Sequence, residues 1–485
     1  MKYSGLGIAV LCFSVAACGA FGPAREPPKM PPTASYSIGA TAERLPAADG
    51  ITQRVELSGQ LVPQWWRAYR SPELNALVEE GLEHSPTLAA AQHTLKAARE
   101  ALRSQIGNSM VPGVDVGFDP SRQRALGVPI LPHEESFLYN VFAAEVKTSY
   151  TFDFFGAAVL ANRALALQVK QQAFELEARR RALAANIVVV TINAAALKLE
   201  VAATEQLVVL GEQRAQQTAA RHALGSVSQD DALGAEEDAA NAAATLPGLR
   251  AKLLALRHAE AVLLGRTPDQ APEPLALDAL QLPDTVPVSV ASDLLHQRPD
   301  ILAAEANVRA TADEAGAAAA SMFPSLTLSA AYGRGGFDWS TFSSPAGAIW
   351  SVGASLTQPL FHGGALVARK HQYEAAHDAA VAQYQQTVLA AFQNVADTLV
   401  SLEEDANTLN QTRRAVTATE SLQSNTESRY RLGATSFYAT LTAAQQYQNA
   451  RVQYLRARAA RLADTAALFD SMGNPPPAQP LLGAQ

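Results

Sequence analysis

Cysteine is nearly absent from this sequence of 485 residues, and its two copies, Cys12 and Cys18, both lie near the N-terminus. Cys12 falls inside an apolar leader, so the mature chain keeps Cys18 alone. A disulfide framework, a cysteine metal site and a catalytic thiol are therefore excluded. Aromatic residues make up only 7% and charged residues only 17%, whereas alanine recurs throughout the long middle stretches. That composition is typical of extended helices.

Positive charge is not in excess either. The chain has 46 acidic and 38 basic residues, a formal net charge of -8, and no basic stripe with interleaved aromatic residues. A nucleic-acid partner is therefore not expected. The nine histidines are scattered, and the two nearest, His371 and His377, fall on different faces of a helix, so they form no zinc pair. No motif joins a nucleophile to a base, and we expect neither enzyme activity nor a metal.

Long apolar runs are missing after the first residues. No run of 18 or more apolar residues follows the leader, so no membrane-spanning helix is expected. Residues 1–17 are typical of a signal peptide, with a positive charge at Lys2 and a short apolar core. The leader ends in the sequence VAAC, which closes at Cys18 and resembles a lipobox. We predict a covalent lipid on Cys18; ordinary cleavage with Cys18 as a bystander is the alternative.

The residues around the predicted lipid indicate a destination. Gly19 stands where an aspartate would retain a lipoprotein in the inner membrane, so we expect the outer membrane. Residues 18–60 are rich in proline and form the predicted lipidated tether. One acyl chain binds a bilayer only marginally, which favours a multiply acylated cysteine.

Two similar halves follow the tether. The sequence SPTLAAA from Ser85 matches RPDILAA from Arg298, and matching prolines, strand patterns, glycines and helix ends follow in the same order about 210 residues apart. Such a period indicates an internal duplication. We assign the first repeat to 61–265, a linker to 266–290, the second repeat to 291–473 and a C-terminal tail to 474–485.

Each half contains one very long helical pattern and a returning one. No glycine or proline occurs from 365 to 432, and these residues as one helix would span about 100 Å. Helices of this length indicate a coiled coil or an array. The predicted long helices are 157–224 and 365–432, and the return helices are 229–264 and 435–472.

Four strands are predicted, at about 111–119, 138–154, 324–333 and 349–361. In the second strand, aromatic and apolar residues alternate with polar ones over about fourteen residues, as expected of a barrel with one face in lipid and the other in water. A soluble, half-buried sheet is the alternative. The side chains predicted to face the lumen are Glu145, Lys147, Ser149, Thr151 and Asp153.

Four strands cannot close a barrel, and open edges are not tolerated in lipid. Copies of the chain must therefore combine. Two copies would give eight strands and a filled barrel, whereas three would give twelve and leave room for a pore. The strand pattern alone leaves the number open.

The chain resembles the outer membrane efflux protein family of TolC-like channels, in its NodT/OprM-type lipoprotein branch. The resemblance covers nearly everything after Cys18 and rests on a set of short motifs. They are WW at Trp65, SPELNAL from Ser71, RPDI from Arg298, FPSL from Phe323, QPLF from Gln358 and RY at Arg429 with Gly433.

The resemblance implies an α+β membrane protein that works as a homotrimer. Its twelve-stranded β-barrel, with four strands per chain, continues into a long periplasmic α-helical barrel with a collar. The implied partners are outer-membrane lipid, a periplasmic adaptor (membrane fusion) protein and an inner-membrane pump of the RND type. The implied function is the exit duct of a tripartite pump for small hydrophobic or amphiphilic compounds.

Similar channels close at the helix-to-helix turns, and this chain departs from their pattern there. Tyr438, Thr442 and Gln445 stand where leucine, aspartate and arginine are usual, so the usual carboxylate–guanidinium latch is missing. A ring of Tyr438 side chains is one hypothesis for closure. The further gate candidates are Tyr430, Asp230 and Asp231; the two aspartates are equally well interpreted as an N-cap pair.

Two other interpretations remain at this point. Within the channel class, the chain would serve metal efflux or protein secretion. In a different class, it would be a structural coiled-coil envelope lipoprotein, which shares the leader and the long helices. That last class gives no reason for strands with two different faces.

Overall fold

The computed structural model describes residues 21–30, 52–57, 63–126, 136–288 and 297–473. The signal peptide, Cys18, part of the tether and the tail 474–485 lie outside the described residues. The chain consists of two compact units, and each takes segments from both sequence repeats. Unit 1 is Met1–Lys29, Thr94–Ala173 and Ala303–Tyr384; unit 2 is Met30–His93, Phe174–Leu302 and Gln385–Gln485.

Helices hold most of the described chain. They are α1 (Pro72–His84), α2 (Pro86–Met110), α3 (Ala157–Ala223), α4 (Gln229–Leu263), α5 (Pro299–Ala320), α6 (Trp339–Ser343), α7 (Ala365–Arg431) and α8 (Phe437–Ser471). The strands are β1 (Arg54–Leu57), β2 (Gly113–Phe118), β3 (Ser121–Leu126), β4 (Ser136–Phe152), β5 (Thr285–Val288), β6 (Ser325–Gly336) and β7 (Ala348–Thr357). Both α3 and α7 have 67 residues, and both α4 and α8 have 35, so the second half repeats the helix lengths of the first.

The two helix-to-helix turns in unit 2 have the same backbone geometry. Gly225 and Gly433 take positive φ angles of 71° and 72°, a conformation that favours glycine. After α3, the N–H of Gly225 donates to the carbonyl of His222 at 2.8 Å, and that of Ser226 donates to Arg221 at 2.9 Å. Both bonds recur after α7. This pair of bonds is the Schellman motif, and it explains why each long helix ends where its glycine follows.

Serine side chains then start the returning helices. Ser228 accepts a hydrogen bond from the backbone N–H of Asp231, and Ser436 accepts one from Ala439. Because Ser436 is the N-cap, α8 begins at Phe437, two residues later than the sequence pattern predicts. In α4 the helix continues through Pro247.

The sheet of unit 1 has five strand segments in four columns. β2 and β3 both pair antiparallel with β4, β2 against its second half and β3 against its first. Asp119 and Pro120 separate them, and proline has no N–H to donate to the ladder. The predicted strand at about 111–119 corresponds to β2, and β3 extends the same column beyond the predicted range. The remaining columns follow in the order β4, β6, β7, with every pairing antiparallel.

Strand ends differ from the sequence expectation where another interaction intervenes. β7 ends at Thr357 and not near 361, because Pro359 follows and the side chain of Gln358 binds the carbonyl of Met322 at 3.1 Å. β6 continues to Gly336. Beyond it, Asp338 caps the short helix α6 by accepting from the N–H of Thr341 at 2.8 Å.

The core of unit 2 is built around three aromatic residues that precede α1. Trp65, Trp66 and Tyr69 are buried, and the ring of Trp65 stacks on Phe469 with centroids 5.4 Å apart. The hydroxyl of Tyr69 donates to the carbonyl of Leu462 at 2.7 Å. The two tryptophans therefore pack the core and form no open platform for a ligand.

One helix of the described chain has a stretch that is long and apolar enough, by length and composition, to cross a membrane. The stretch lies in α3, and 56% of it is buried within the protein. Ile187, Val188 and Ile192 of α3 are fully buried in the core of unit 2. Burial of this kind is typical of a core helix, which also satisfies tests of length and composition.

Two arginines cap the C-terminus of α8. Arg181 donates to the carbonyls of Phe469 and Asp470 at 3.0 and 3.1 Å, and Arg298 donates to that of Ser471 at 2.9 Å. Arg298 also forms a fork with Asp300 at 3.0 and 2.7 Å. The last carbonyls of a helix lack partners within it and attract positive charge. The RPD motif therefore has a structural role at this helix end.

A buried polar cluster joins α7, α8 and the segment before β1. Arg461, of which only 1% is exposed, donates to the carbonyl of Leu402 and to the amide oxygen of Gln53. Gln53 donates in turn to the carbonyl of Pro283 at 3.0 Å. Burial, and then the charge and hydrogen bond of Asp464, raise the pKa of Asp405 to about 7, although Arg461 opposes the rise.

The raised pKa of Asp405 predicts that unit 2 becomes less stable as the medium becomes more alkaline. The unfolded carboxyl has a pKa of about 3.9, so the folded state binds the proton more tightly. This stabilisation is complete below pH of about 4 and is lost as the pH rises through about 7. We expect the Tm of the wild type to fall more steeply between about pH 4 and about pH 7 than that of Asp405→Asn, which cannot ionise.

The matched control is Glu403→Gln, an exposed carboxylate two residues away on α7. Its Tm should follow the wild-type pH profile. Equal slopes for the wild type and Asp405→Asn in thermal unfolding would show that Asp405 does not titrate in this range.

Candidate pore surface and helix-tip latch

The register of the four columns places apolar side chains in rows on one face of the sheet. Val116 of β2 is opposite Val146 of β4, which is opposite Tyr332 of β6, which is opposite Trp350 of β7. These side chains are 80%, 45%, 68% and 75% exposed. An exposed apolar surface of this kind marks a contact with lipid or protein.

The rows between them belong to the other face, because neighbouring residues of a strand point to opposite sides. Asp115 is opposite Lys147, which is opposite Ala331 and then Ser351. Glu145 lies between Gly117 and Gly333, and its carboxylate is 3.0 Å from the Nζ of Lys147. This face is polar and carries small side chains.

Four of the five predicted lumen residues share this polar face. Glu145, Lys147, Ser149 and Thr151 alternate along β4 with its apolar residues, and the hydroxyl of Thr151 lies 2.9 Å from that of Thr327. Asp153 differs from the prediction, because it lies one residue beyond the end of β4. Its carboxylate accepts from the backbone N–H of Val159 at 2.8 Å and so caps the first turn of α3.

Both edges of the sheet are open. In the described part of the chain, β2 and β7 each have a neighbouring strand on one side only. Every side chain of β7 is exposed. A strand edge presents unpaired N–H and C=O groups that pair readily with another strand. Each edge of the sheet can therefore pair with a further strand.

At the turns of unit 2, Arg214 of α3 connects three helices. Its Nε donates to the hydroxyl of Tyr438 at 3.1 Å, and its Nη1 donates to the amide oxygen of Gln445 at 3.2 Å. The same Nη1 lies 3.3 Å from the carboxylate of Asp238 on α4. A second arginine, Arg221, lies over the ring of Tyr438, with its Cζ 5.7 Å from the centroid.

Two of the predicted gate residues, Tyr438 and Gln445, therefore contact the same guanidinium. The sequence interpretation missed Arg214 because it lies in the other half of the chain, on the helix before Gly225. The sequence around Arg214 gives only one sign of its role: a charged residue stands about three turns before the end of a long helix. Its side chain is 24% exposed, whereas that of Asp238 is 58% exposed, so water reaches this ion pair from the aspartate side.

The other gate candidates have different contacts. The hydroxyl of Thr442 donates to the carbonyl of Tyr438 within α8 at 3.1 Å. The ring of Tyr430 lies against Phe437, with centroids 5.6 Å apart. Asp231 forms a capping box with Ser228, whose hydrogen bonds lower the pKa of this carboxyl. Asp230 lies beside it in the first turn of α4. The N-cap itself is Ser228, and Asp231 supports it from the third position of the helix.

Within the described ranges, no group of three or more histidine, cysteine, aspartate or glutamate side chains is placed to hold a metal ion.

The sequence matches a family model described as "Outer membrane efflux protein" over residues 77–266 and 290–474. Among curated relatives, the toluene efflux pump outer membrane protein TtgC of Pseudomonas putida is 28% identical over 485 residues, which cover 98% of this chain and 96% of the relative. Nodulation protein T of Rhizobium leguminosarum bv. trifolii is 25% identical and covers 90% of both chains.

Among solved structures, the outer-membrane channel OprN has a TM-score of 0.79 with this chain at 25% sequence identity. The alignment covers 93% of this chain and 98% of OprN. The family model accounts for most of the sequence, and these similarities extend over nearly the full length. The chain belongs to the outer membrane efflux protein family.

Proposed function

We propose that three copies of the chain form the outer-membrane exit duct of a tripartite efflux pump. The observation that carries the proposal is the sheet of unit 1, with its exposed apolar face, its polar opposite face and its two open edges. In hydrocarbon, every backbone N–H and C=O group needs a partner, and only closure of the sheet provides one at each edge. Closure by copies of the same chain uses one contact repeatedly.

The direction of the strands agrees with such closure. β7 runs opposite to β2, because each pairing between them is antiparallel. The β7 edge of one copy therefore meets the β2 edge of the next in the same antiparallel sense. Three copies supply twelve strand columns, enough to leave an aqueous channel, whereas eight give an interior that side chains fill. The polar face, with Glu145 and Lys147, would line this channel.

The helices are too long to belong to the membrane. A helix of 67 residues spans about 100 Å, whereas the hydrocarbon core is about 30 Å thick. In the proposed assembly, α3, α4, α7 and α8 of three chains supply a long periplasmic helical barrel. The lipid on Cys18 adds a second attachment to the membrane. The two sequence repeats would each contribute half of both parts.

The proposed partners and cargo follow from the family and the relatives. A periplasmic adaptor protein and an inner-membrane pump of the RND type would deliver the cargo to this chain. TtgC is named a toluene efflux pump protein, which supports export of small hydrophobic or amphiphilic compounds here. The outer membrane efflux protein family is a transport family, and a purely structural envelope role would leave the polar face of the sheet without use.

Cross-linking tests the closure of the barrel. Gly117 of β2 and Ser351, Gly353 and Ser355 of β7 all lie on the polar face. Within one chain their strands are about 14 Å apart, three strand spacings, which is too far for a disulfide. We expect Gly117→Cys combined with one of Ser351→Cys, Gly353→Cys or Ser355→Cys to give covalent dimers and trimers on non-reducing gels.

A closed ring of three has no free edge, so the series of cross-linked bands on the gel should stop at the trimer. Gly117→Cys alone is the control and should give no trimer. In planar bilayers the purified protein should produce discrete conductance steps. A series of bands that continues beyond the trimer, or monomers without conductance, would overturn the proposal.

The gate proposal assigns the latch to Arg214. By holding Tyr438, Gln445 and Asp238 together, its guanidinium ties α8 to α3 and α4 near the turns. This contact replaces the latch that the second-half turn lacks. Tyr438 then acts as a fixed acceptor for Arg214 as well as a bulky side chain. Closure by a ring of Tyr438 side chains remains a separate hypothesis, and so does an acidic ring of Asp230 and Asp231 side chains at the mouth of the channel.

Removal of the latch should open the channel. Hydrogen bonds to a charged group contribute about 1.5–3 kcal/mol, so we expect Arg214→Ala to raise the open-to-closed ratio by about tenfold or more in single-channel recordings. Tyr438→Phe loses the hydroxyl and keeps the ring, and it should have a smaller effect.

The matched control is Arg250→Ala, which removes the α4–α3 ion pair to Glu205 at 2.7 Å. Unlike the contacts of Arg214, this ion pair joins α4 to α3 without α8. The recordings of Arg250→Ala should match the wild type. If the recordings of Arg214→Ala also match the wild type while the protein still conducts, the latch proposal is contradicted and the channel proposal is not.

A further inference from the structure

The segment that follows the predicted lipid site lies along α5 in unit 1. Glu26 accepts a hydrogen bond from Arg309 at 3.1 Å, and Arg25 contacts Asp313. The carbonyl of Phe21 approaches Gly316, and the ring of Phe21 lies 5.0 Å from that of Phe323. Successive residues of the segment thus contact successive turns of one helix.

Asp313 is the centre of this contact. Its side chain is 1% exposed, and its two oxygens accept hydrogen bonds from two arginines. Arg163 of α3 forms a fork at 2.7 and 2.6 Å, and Arg25 places its Nε at 2.8 Å and its Nη2 at 3.0 Å. Forked arginine–carboxylate pairs are strong and geometrically specific. The buried carboxylate therefore fastens the segment to both α3 and α5.

Two glycines allow the backbone of the segment to lie against α5. Gly22 has a φ of +103°, and a Cβ there would lie 3.0 Å from Gly316 and from the carbonyl of Ala312. A Cβ on Gly316 would lie 2.7 Å from the carbonyl of Phe21 and 3.2 Å from Leu160 of α3. Any side chain at Gly316 would push the segment away. The groove between α3 and α5 is therefore shaped for this backbone.

The order of the contacts shows in which direction residues 21–26 run along α5. From Glu26 back to Phe21, the partners advance from Arg309 to Phe323, which is the end of α5 that leads into β6. The ring of Phe323 also stacks on Phe155, with centroids 4.9 Å apart. Cys18 precedes Phe21 by three residues, a reach of at most about 11 Å.

We propose that residues 21–26 form a docking strap and that the groove between α3 and α5 is its receptor. The strap holds the acyl group of Cys18 within reach of the sheet end of α5, so that the lipid and the apolar face of the sheet enter the same bilayer at a fixed separation. This role rests on the lipidation and barrel proposed above. The docking itself depends only on the contacts of Phe21, Gly22, Arg25 and Glu26.

A spin label tests the strap in the full-length, lipidated protein. The mature chain has no cysteine other than Cys18, so Ala24→Cys supplies a single labelling site, and Ala24 is exposed. We expect a nitroxide there to move slowly in the parent protein. Added Gly316→Ala or Arg25→Gln should release the strap and shorten the rotational correlation time by about fivefold or more, toward the nanosecond range of free termini.

The matched control is Gly107→Ala in α2, where a Cβ would have nothing within 4 Å. It makes the same change of residue in a helix of the same unit and should leave the label slow. Arg25→Gln keeps the Arg163–Asp313 pair, so it tests docking with less risk to folding.

The strap is excluded if the label is already mobile in the parent protein, or if both Gly316→Ala and Arg25→Gln leave it slow. Conductance in planar bilayers is measured on the same samples. A protein that conducts normally but has a mobile label overturns the strap alone, whereas a protein with a slow label and no conductance overturns the channel.

Discussion

The structure depends on the register that separates the two faces of one antiparallel sheet. Because β2, β4, β6 and β7 are aligned residue by residue, Val116, Val146, Tyr332 and Trp350 fall in a single row, and charged residues fall in the next. A slip of one residue would exchange the faces. An exposed apolar face of this kind marks a contact with lipid or protein, and the open edges can pair with further strands. The proposed closure of the sheet by copies of the chain rests on these two features.

A different constraint acts on the two long helices, α3 and α7: each must end at a tight turn that leads into its returning helix. The same glycine-dependent turn, followed by the same serine cap, closes both long helices. After this common geometry the two halves diverge in their side chains. Asp231 completes a capping box in one half, whereas the other half places Tyr438 and Gln445 toward Arg214. The backbone geometry of the turn is the same in both halves, whereas the contacts of the side chains beside it differ.

Much of the protein was predictable from its sequence. Family membership, the outer-membrane location and the efflux function were expected from short motifs and are confirmed by the family match. The ends of α3 and α7 were predictable within one residue because Gly225 and Gly433 can adopt a conformation that other residues avoid. Asp153 was misplaced because a carboxylate just before a helix bonds to its first turn, and alternation alone does not show where a strand stops.

Local periodicity and glycine placement by themselves determined the long helices, their turns and most of the strands of the unit 1 sheet, because these features depend on neighbouring residues in the chain. Tertiary structure alone decided which distant residues meet. Arg214 and Tyr438 are 224 positions apart, Arg25 and Asp313 are 288 apart, and Arg461 lies buried with partners from two other segments. No pattern within one helix specifies such pairs, since they form only when separate elements pack and exclude water from the charges between them.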